Sequence, residues 1–103
     1  MAAARLAPDV QKKSICVVGI CTVDVVARCV DEYPPPGGLR VFDSLHLTTG
    51  GNAVNCAIAL ARMGFAASVV TKVGQDLHGR FVLDELARYG VDTAGVIRTP
   101  DTH

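Results

Sequence analysis

Hydrophobic and polar positions divide the chain into short elements of alternating type. Ile15–Ile20 (ICVVGI) is a continuous apolar run rich in β-branched residues, the pattern of a parallel strand covered on both faces. Val25–Val30 predicts a second strand. Asp31–Gly38 (DEYPPPGG) cannot continue it, because three prolines remove backbone donors and two glycines loosen the turn. From Leu39 to Thr48 the pattern alternates, with Leu39, Val41, Leu45 and Leu47 on one face and Arg40, Phe42, Ser44, His46 and Thr48 on the other. Asp43 is the one break in the apolar face. Period two predicts a half-exposed strand, and two strands around a Pro-Gly loop predict an antiparallel flap. Ala53, Val54, Ala57, Ile58, Leu60 and Ala61 then recur at helical spacing up to Gly64. Ala67–Val73 predicts a strand, Gly74–Asp76 a turn with Asp76 as N-cap, and Leu77–Tyr89 a helix with Leu77, Phe81, Val82, Leu86 and Tyr89 facing inward. Gly90 fits the left-handed position that ends a helix, and Val96–Arg98 begins another strand. The order is strand, flap, helix, strand, helix, strand, an α/β layout with right-handed crossovers. Met1–Ser14, alanine-rich and then polar, is expected to be a disordered leader.

The stretch Leu47–Gly64 (LTTGGNAVNCAIALARMG) concentrates the candidate chemistry. Gly50 and Gly51 lack a Cβ and permit close approach of another group. Asn52 stands where an N-cap belongs, and Asn55 follows three residues later, still near the mouth of the helix. Two glycines, two amides and the positive end of a helix make a polar notch. A tight turn with a cap explains the same residues without a ligand. Asp24 follows the first strand, and ligands of open parallel sheets bind beyond the carboxyl ends of strands, so Asp24 is a second candidate. A turn-forming aspartate is its bland alternative.

Composition narrows the classes. The 103 residues suffice for one small domain, half are hydrophobic, and the formal net charge is zero. A broad nucleic-acid surface would need clustered Lys and Arg, and the low aromatic content disfavours base stacking. Cys16, Cys21, Cys29 and Cys56 each lie in an apolar run without ligand spacing and are expected to be buried free thiols of a reducing cytosol. Lys12–Val23 imitates a signal peptide but lacks a cleavage site and is too short to span a bilayer, so a cytoplasmic location with no membrane partner is expected. His46, His78 and His103 have no paired spacing, which gives no metal site. Gly74–Gly79 (GQDLHG) lacks the lysine and glycine spacing of a phosphate loop, and no GxGxxG opens the first helix. Arg28 and Arg40 are expected to be solvated charges on the flap. Two helices cannot cover both faces of a parallel sheet, so the chain is expected to be a fragment.

Taken together, VVGICTVD (Val17–Asp24), the PPPGG loop, TGGNAVNCAIALARMG (Thr49–Gly64) and TKVGQDLHGRFVLDELARYGVDT (Thr71–Thr93) resemble the ribokinase-like (PfkB) carbohydrate kinases. The resemblance runs from about 15 to 103 and covers the N-terminal third or so of a typical member. It implies a doubly wound, Rossmann-type α/β parallel sheet with a small β-lid at about 25–48, incomplete in this chain. It also implies ATP-dependent transfer of the γ-phosphoryl group to a sugar hydroxyl, with ATP and Mg2+ as cofactors and lid-to-lid pairing of two subunits. Carried over by position, Asp24 would hold sugar hydroxyls, Gly50 and Gly51 would let backbone touch the sugar, and Asn55 would bond another hydroxyl. Asn52 falls where several relatives place a polar residue that contacts substrate. Thr22 stands where many have Asn, which leaves the hydroxyl pattern open. The family's catalytic aspartate, anion hole and nucleotide pocket belong to a C-terminal part, so no catalytic residue is expected here. A nucleoside kinase of the same fold, and a non-catalytic fragment that only binds sugar or dimerises, are the rival readings.

Overall fold

The structure, a computed structural model, describes residues 13–28 and 31–100. Its elements in chain order are β1 (Ser14–Val18), β2 (Thr22–Arg28), β3 (Ser44–Gly50), α1 (Asn52–Arg62), β4 (Ala66–Gly74), α2 (Leu77–Arg88) and β5 (Val96–Thr99). β1, β4 and β5 form a parallel sheet in the order β1-β4-β5, and β2 and β3 form a separate antiparallel ribbon. The expected α/β architecture with a small β-lid is present. Residues 1–12 of the expected leader lie outside the described residues, and Ser14, its last residue, opens β1 instead.

The core explains the layering. β4 buries Ala67, Val69, Thr71 and Val73 at every second position. Ala53, Val54 and Ala57 of α1 and Val82 and Leu86 of α2 join Val69 and Val73 in one cluster. Both helices therefore sit on the same face of the sheet. Right-handed crossovers that step twice in the same direction, β1 to β4 to β5, require this. It also corrects the expectation that Ile15–Ile20 is covered on both faces. β1 alternates between half-buried and exposed, with Val17 against the core, while Val18 is 72% and Ile20 66% exposed.

The same geometry corrects the cysteines. Cys16 pairs in register with Ser68 on the uncovered face and is exposed, and Cys56 is exposed on the outer side of α1. Cys21 is half-buried, with its thiol donating to the Lys72 carbonyl at 3.3 Å. All three are free, and Cys29 lies outside the described residues.

α2 begins as expected. Asp76 is its N-cap, and the carboxylate accepts from the Gly79 N–H at 2.7 Å. Leu77 is 85% exposed rather than inward. The buried residues are Gly79, Val82 and Leu86, and Leu77, two residues before Gly79, lies about 200° round the helix from it. The helix closes at Arg88, one residue short of Tyr89, and Gly90 takes φ +75°. Asp76→Ala should cost about 1 kcal/mol, the usual value of a lost cap, and lower the melting temperature by roughly 4–8 °C. Thermal denaturation followed by circular dichroism checks this. An unchanged midpoint would mean that the Gly79 N–H finds water at no cost.

The lid differs from its expected boundaries. β2 begins at Thr22 instead of Val25, and β3 begins at Ser44 instead of Leu39. Ladder pairing from Thr22↔Gly50 to Arg28↔Ser44 sets these limits. Leu39 is 90% and Val41 94% exposed, and alternation alone makes no strand where no ladder among the described residues pairs with it. Arg40 forms an ion pair with Glu32 at 2.9 Å, an exposed contact of small energetic weight.

Candidate functional site

The site lies where the lid meets the sheet. β1 ends at Val18, so Asp24 is the third residue of β2 and not the tail of the first strand. Thr22 and Asp24, two residues apart on one strand, project from the same face. The Thr22 hydroxyl donates to Oδ1 of Asp24 at 3.3 Å. Across the ribbon, Thr22 pairs with Gly50 and Asp24 with Thr48. A Cβ on Gly50 would sit 2.6 Å from Oδ2 of Asp24 and 2.6 Å from Oγ1 of Thr22. The bare glycine thus makes room for both oxygens. The result is an exposed carboxylate, braced by a hydroxyl, standing over a strip of backbone.

Gly51 has a different reason to be glycine. It is the N-cap of α1 with φ 89° and ψ 150°, a combination nearly confined to glycine. A Cβ there would also meet the Ile20 carbonyl oxygen at 2.5 Å. Asn52 is therefore not the N-cap, and α1 has no side-chain cap bond. Oδ1 of Asn52 instead accepts from the Ile20 N–H at 3.0 Å, while the Ala53 N–H donates to the Ile20 carbonyl at 3.2 Å. The Asn55 N–H makes the first helical bond, to the Gly51 carbonyl at 3.1 Å.

Two open depressions flank the junction. The larger, about 460 Å³, lies between Val23 and Val25 of the lid and Asp76 and His78 at the start of α2. Two of its polar groups are already spoken for, Cys21 by the Lys72 carbonyl and Asp76 by Gly79. The smaller, about 260 Å³, groups Asn55 with Thr48, Thr49, Arg62, Glu85 and Tyr89. Neither is lined by Asp24, Gly50, Gly51 or Asn52. The fold thus brings Asp24 to Gly50, ties Asn52 to Ile20, and places Asn55 beyond Thr48, the cross-strand neighbour of Asp24. The residue that sequence reasoning undervalued is Thr22. Its signal was the i, i+2 spacing from Asp24, which becomes legible only when the strand is started at Thr22.

Among the described residues no group of three or more His, Cys, Asp or Glu side chains converges to hold a metal ion. No helix among the described residues is long and apolar enough to cross a membrane.

Residues 12–103 match the sequence profile of the pfkB family carbohydrate kinases. The chain belongs to that family. This pfkB-family chain is 37% identical over 81 residues to ribokinase of Bacillus subtilis, covering 79% of this chain and 27% of that one. It is 42% identical over 71 residues to 2-dehydro-3-deoxygluconokinase of the same organism, covering 69% of this chain and 21% of that one. The crystal structure of fructokinase from Xylella fastidiosa superposes with a TM-score of 0.70 at 35% identity, covering 86% of this chain and 26% of that one. The chain thus spans about a quarter of the length of these relatives.

Proposed function

We propose that this pfkB-family chain forms the substrate side of an ATP-dependent sugar kinase, which transfers the γ-phosphoryl group to a sugar hydroxyl. The observation that carries the reading is the Thr22–Asp24 pair over the bare backbone of Gly50. A neutral polyol is recognised by acceptors and donors at fixed angles, and a carboxylate beside a hydroxyl supplies both. Asp24 accepts from sugar hydroxyls, Gly50 and Gly51 let the ring approach the main chain, and Asn55 adds an amide beyond Thr48. Asp24 binds sugar hydroxyls, and the family resemblance places the catalytic aspartate in a C-terminal part. The relatives named ribokinase, 2-dehydro-3-deoxygluconokinase and fructokinase support the substrate class. The lid closes over the bound sugar. Its apolar face, with Val25 beside Leu47 and Ala27 beside Leu45, suits pairing with a second lid.

Titration of the 15N-labelled chain with D-ribose, D-fructose and adenosine tests this reading. A sugar should shift the amide signals of Gly50, Gly51 and Asn55 together. Preference for adenosine would move the assignment to a nucleoside kinase. No shift with any of the three would withdraw the substrate-binding role.

A further inference from the structure

The first turn of α1 does more than offer polar groups. We infer that Asn52 is a positioning residue: its Oδ1 holds the turn between β1 and β2 against the helix and so fixes where Thr22 and Asp24 stand over Gly50. The inference rests on the sugar-site reading above for its functional meaning, and on hydrogen bonds alone for its geometry.

Both backbone groups of Ile20 end on adjacent residues of α1. Its N–H donates to Oδ1 of Asn52 at 3.0 Å, and its carbonyl accepts from the Ala53 N–H at 3.2 Å. Because the donor is a backbone N–H, the Asn52 atom that meets it must be the oxygen, which fixes the orientation of the amide. The neighbouring glycines fit this clamp. A Cβ on Gly19 would fall 2.6 Å from Oδ1 of Asn52, and one on Gly51 would strike the Ile20 carbonyl. The Gly19 N–H also donates to the Val70 carbonyl at 3.2 Å, tying the same turn to β4. A short closed path results. Ile20 leads in two residues to Thr22, Thr22 pairs with Gly50, and Gly50 leads through Gly51 to Asn52, which returns to Ile20. Slack introduced at Asn52 reaches the Thr22–Gly50 pair along this path, and Asp24 lies two residues further along the same strand. The bond to Ile20 uses the Asn52 oxygen, and the amide nitrogen is the group left to donate to a sugar if Asn52 contacts it directly.

Aspartate keeps the oxygen and removes the nitrogen, and alanine removes both. In Asn52→Ala, the Ile20 amide should exchange with solvent about three- to tenfold faster, the usual net worth of one hydrogen bond. The Asp24 carboxyl 13C resonance should move, and D-fructose or D-ribose affinity should fall by a similar factor. Asn52→Asp should keep all three near wild type. Loss of sugar affinity in Asn52→Asp with Ile20 still protected would overturn the inference in favour of direct contact. Unchanged Ile20 exchange and Asp24 resonance in Asn52→Ala would overturn it as well. If Asn52→Ala does not fold, Asn52→Asp decides alone by the same two readings. If the wild-type chain binds none of the sugars, the sugar-site reading fails, while Ile20 exchange and the Asp24 resonance still decide the positioning role.

Discussion

Gly51→Ala is expected to lower the stability of this domain by about 2–6 kcal/mol. Two independent costs add. The backbone at φ 89°, ψ 150° lies in a region that residues with a side chain rarely enter, which costs about 1–3 kcal/mol. The new Cβ would also stand 2.5 Å from the Ile20 carbonyl oxygen and 2.8 Å from Cys21 Cα, and both are main-chain atoms that cannot rotate aside. Overpacking of that kind costs about 1–3 kcal/mol. Relief would require α1 to swing away from the β1–β2 turn, breaking the two bonds that Ile20 makes to Asn52 and Ala53. Gly50→Ala is the informative control. Its Cβ would meet the side-chain oxygens of Asp24 and Thr22, which have rotamers to escape into. Gly50→Ala should therefore spare stability relative to Gly51→Ala and injure ligand binding instead. Urea denaturation of both variants checks this. A Gly51→Ala midpoint equal to that of Gly50→Ala would show that the junction is softer than its bonds imply.

The contrast between these two glycines shows what sequence could and could not convey. Element types were legible because periodicity is local. The alternating burial of β4, the Asp76 cap and the glycine after α2 all follow from residues within one or two turns of each other. The Gly-Gly pair was legible as special, but the reason for each member was not. One yields to two side chains, the other to a carbonyl thirty-one residues earlier, and only the tertiary fold brings Ile20 there. Asn52 was misassigned as N-cap for the same reason. The donor that Asn52 Oδ1 meets, the Ile20 N–H, lay out of sequence view, and Gly51 with its positive φ took the capping position. Ile15–Ile20 reads as doubly buried because β-branched runs usually are, yet coverage depends on which way the crossovers step. Both step the same way here, which leaves Cys16 and Val18 uncovered. The lid boundaries failed because alternation reports a possible strand, and only pairing makes one.

Asp24→Ala is expected to reduce sugar affinity by about 150-fold or more, the largest effect on binding of any residue discussed. A hydrogen bond to a charged group contributes about 1.5–3 kcal/mol, and a carboxylate facing two ring hydroxyls forms two. The Thr22 hydroxyl already donates to Oδ1, which orients the group and sets Oδ2 over Gly50. Thr22→Val should then cost only a few-fold, since it frees the carboxylate to rotate without removing it. Asp24→Asn should fall between them, because the amide keeps one acceptor and turns the other into a donor that faces the Thr22 hydroxyl. Stability should hardly change in any of the three, because Asp24 is exposed and its side chain spans no layer of the core. Isothermal titration with the preferred sugar, beside a urea melt of each variant, separates binding from folding. The order wild type, Thr22→Val, Asp24→Asn, Asp24→Ala in falling affinity is what a braced carboxylate acceptor requires. An Asp24→Ala affinity within twofold of wild type would move the sugar away from this face of the lid and toward the depression that Asn55 shares with Tyr89.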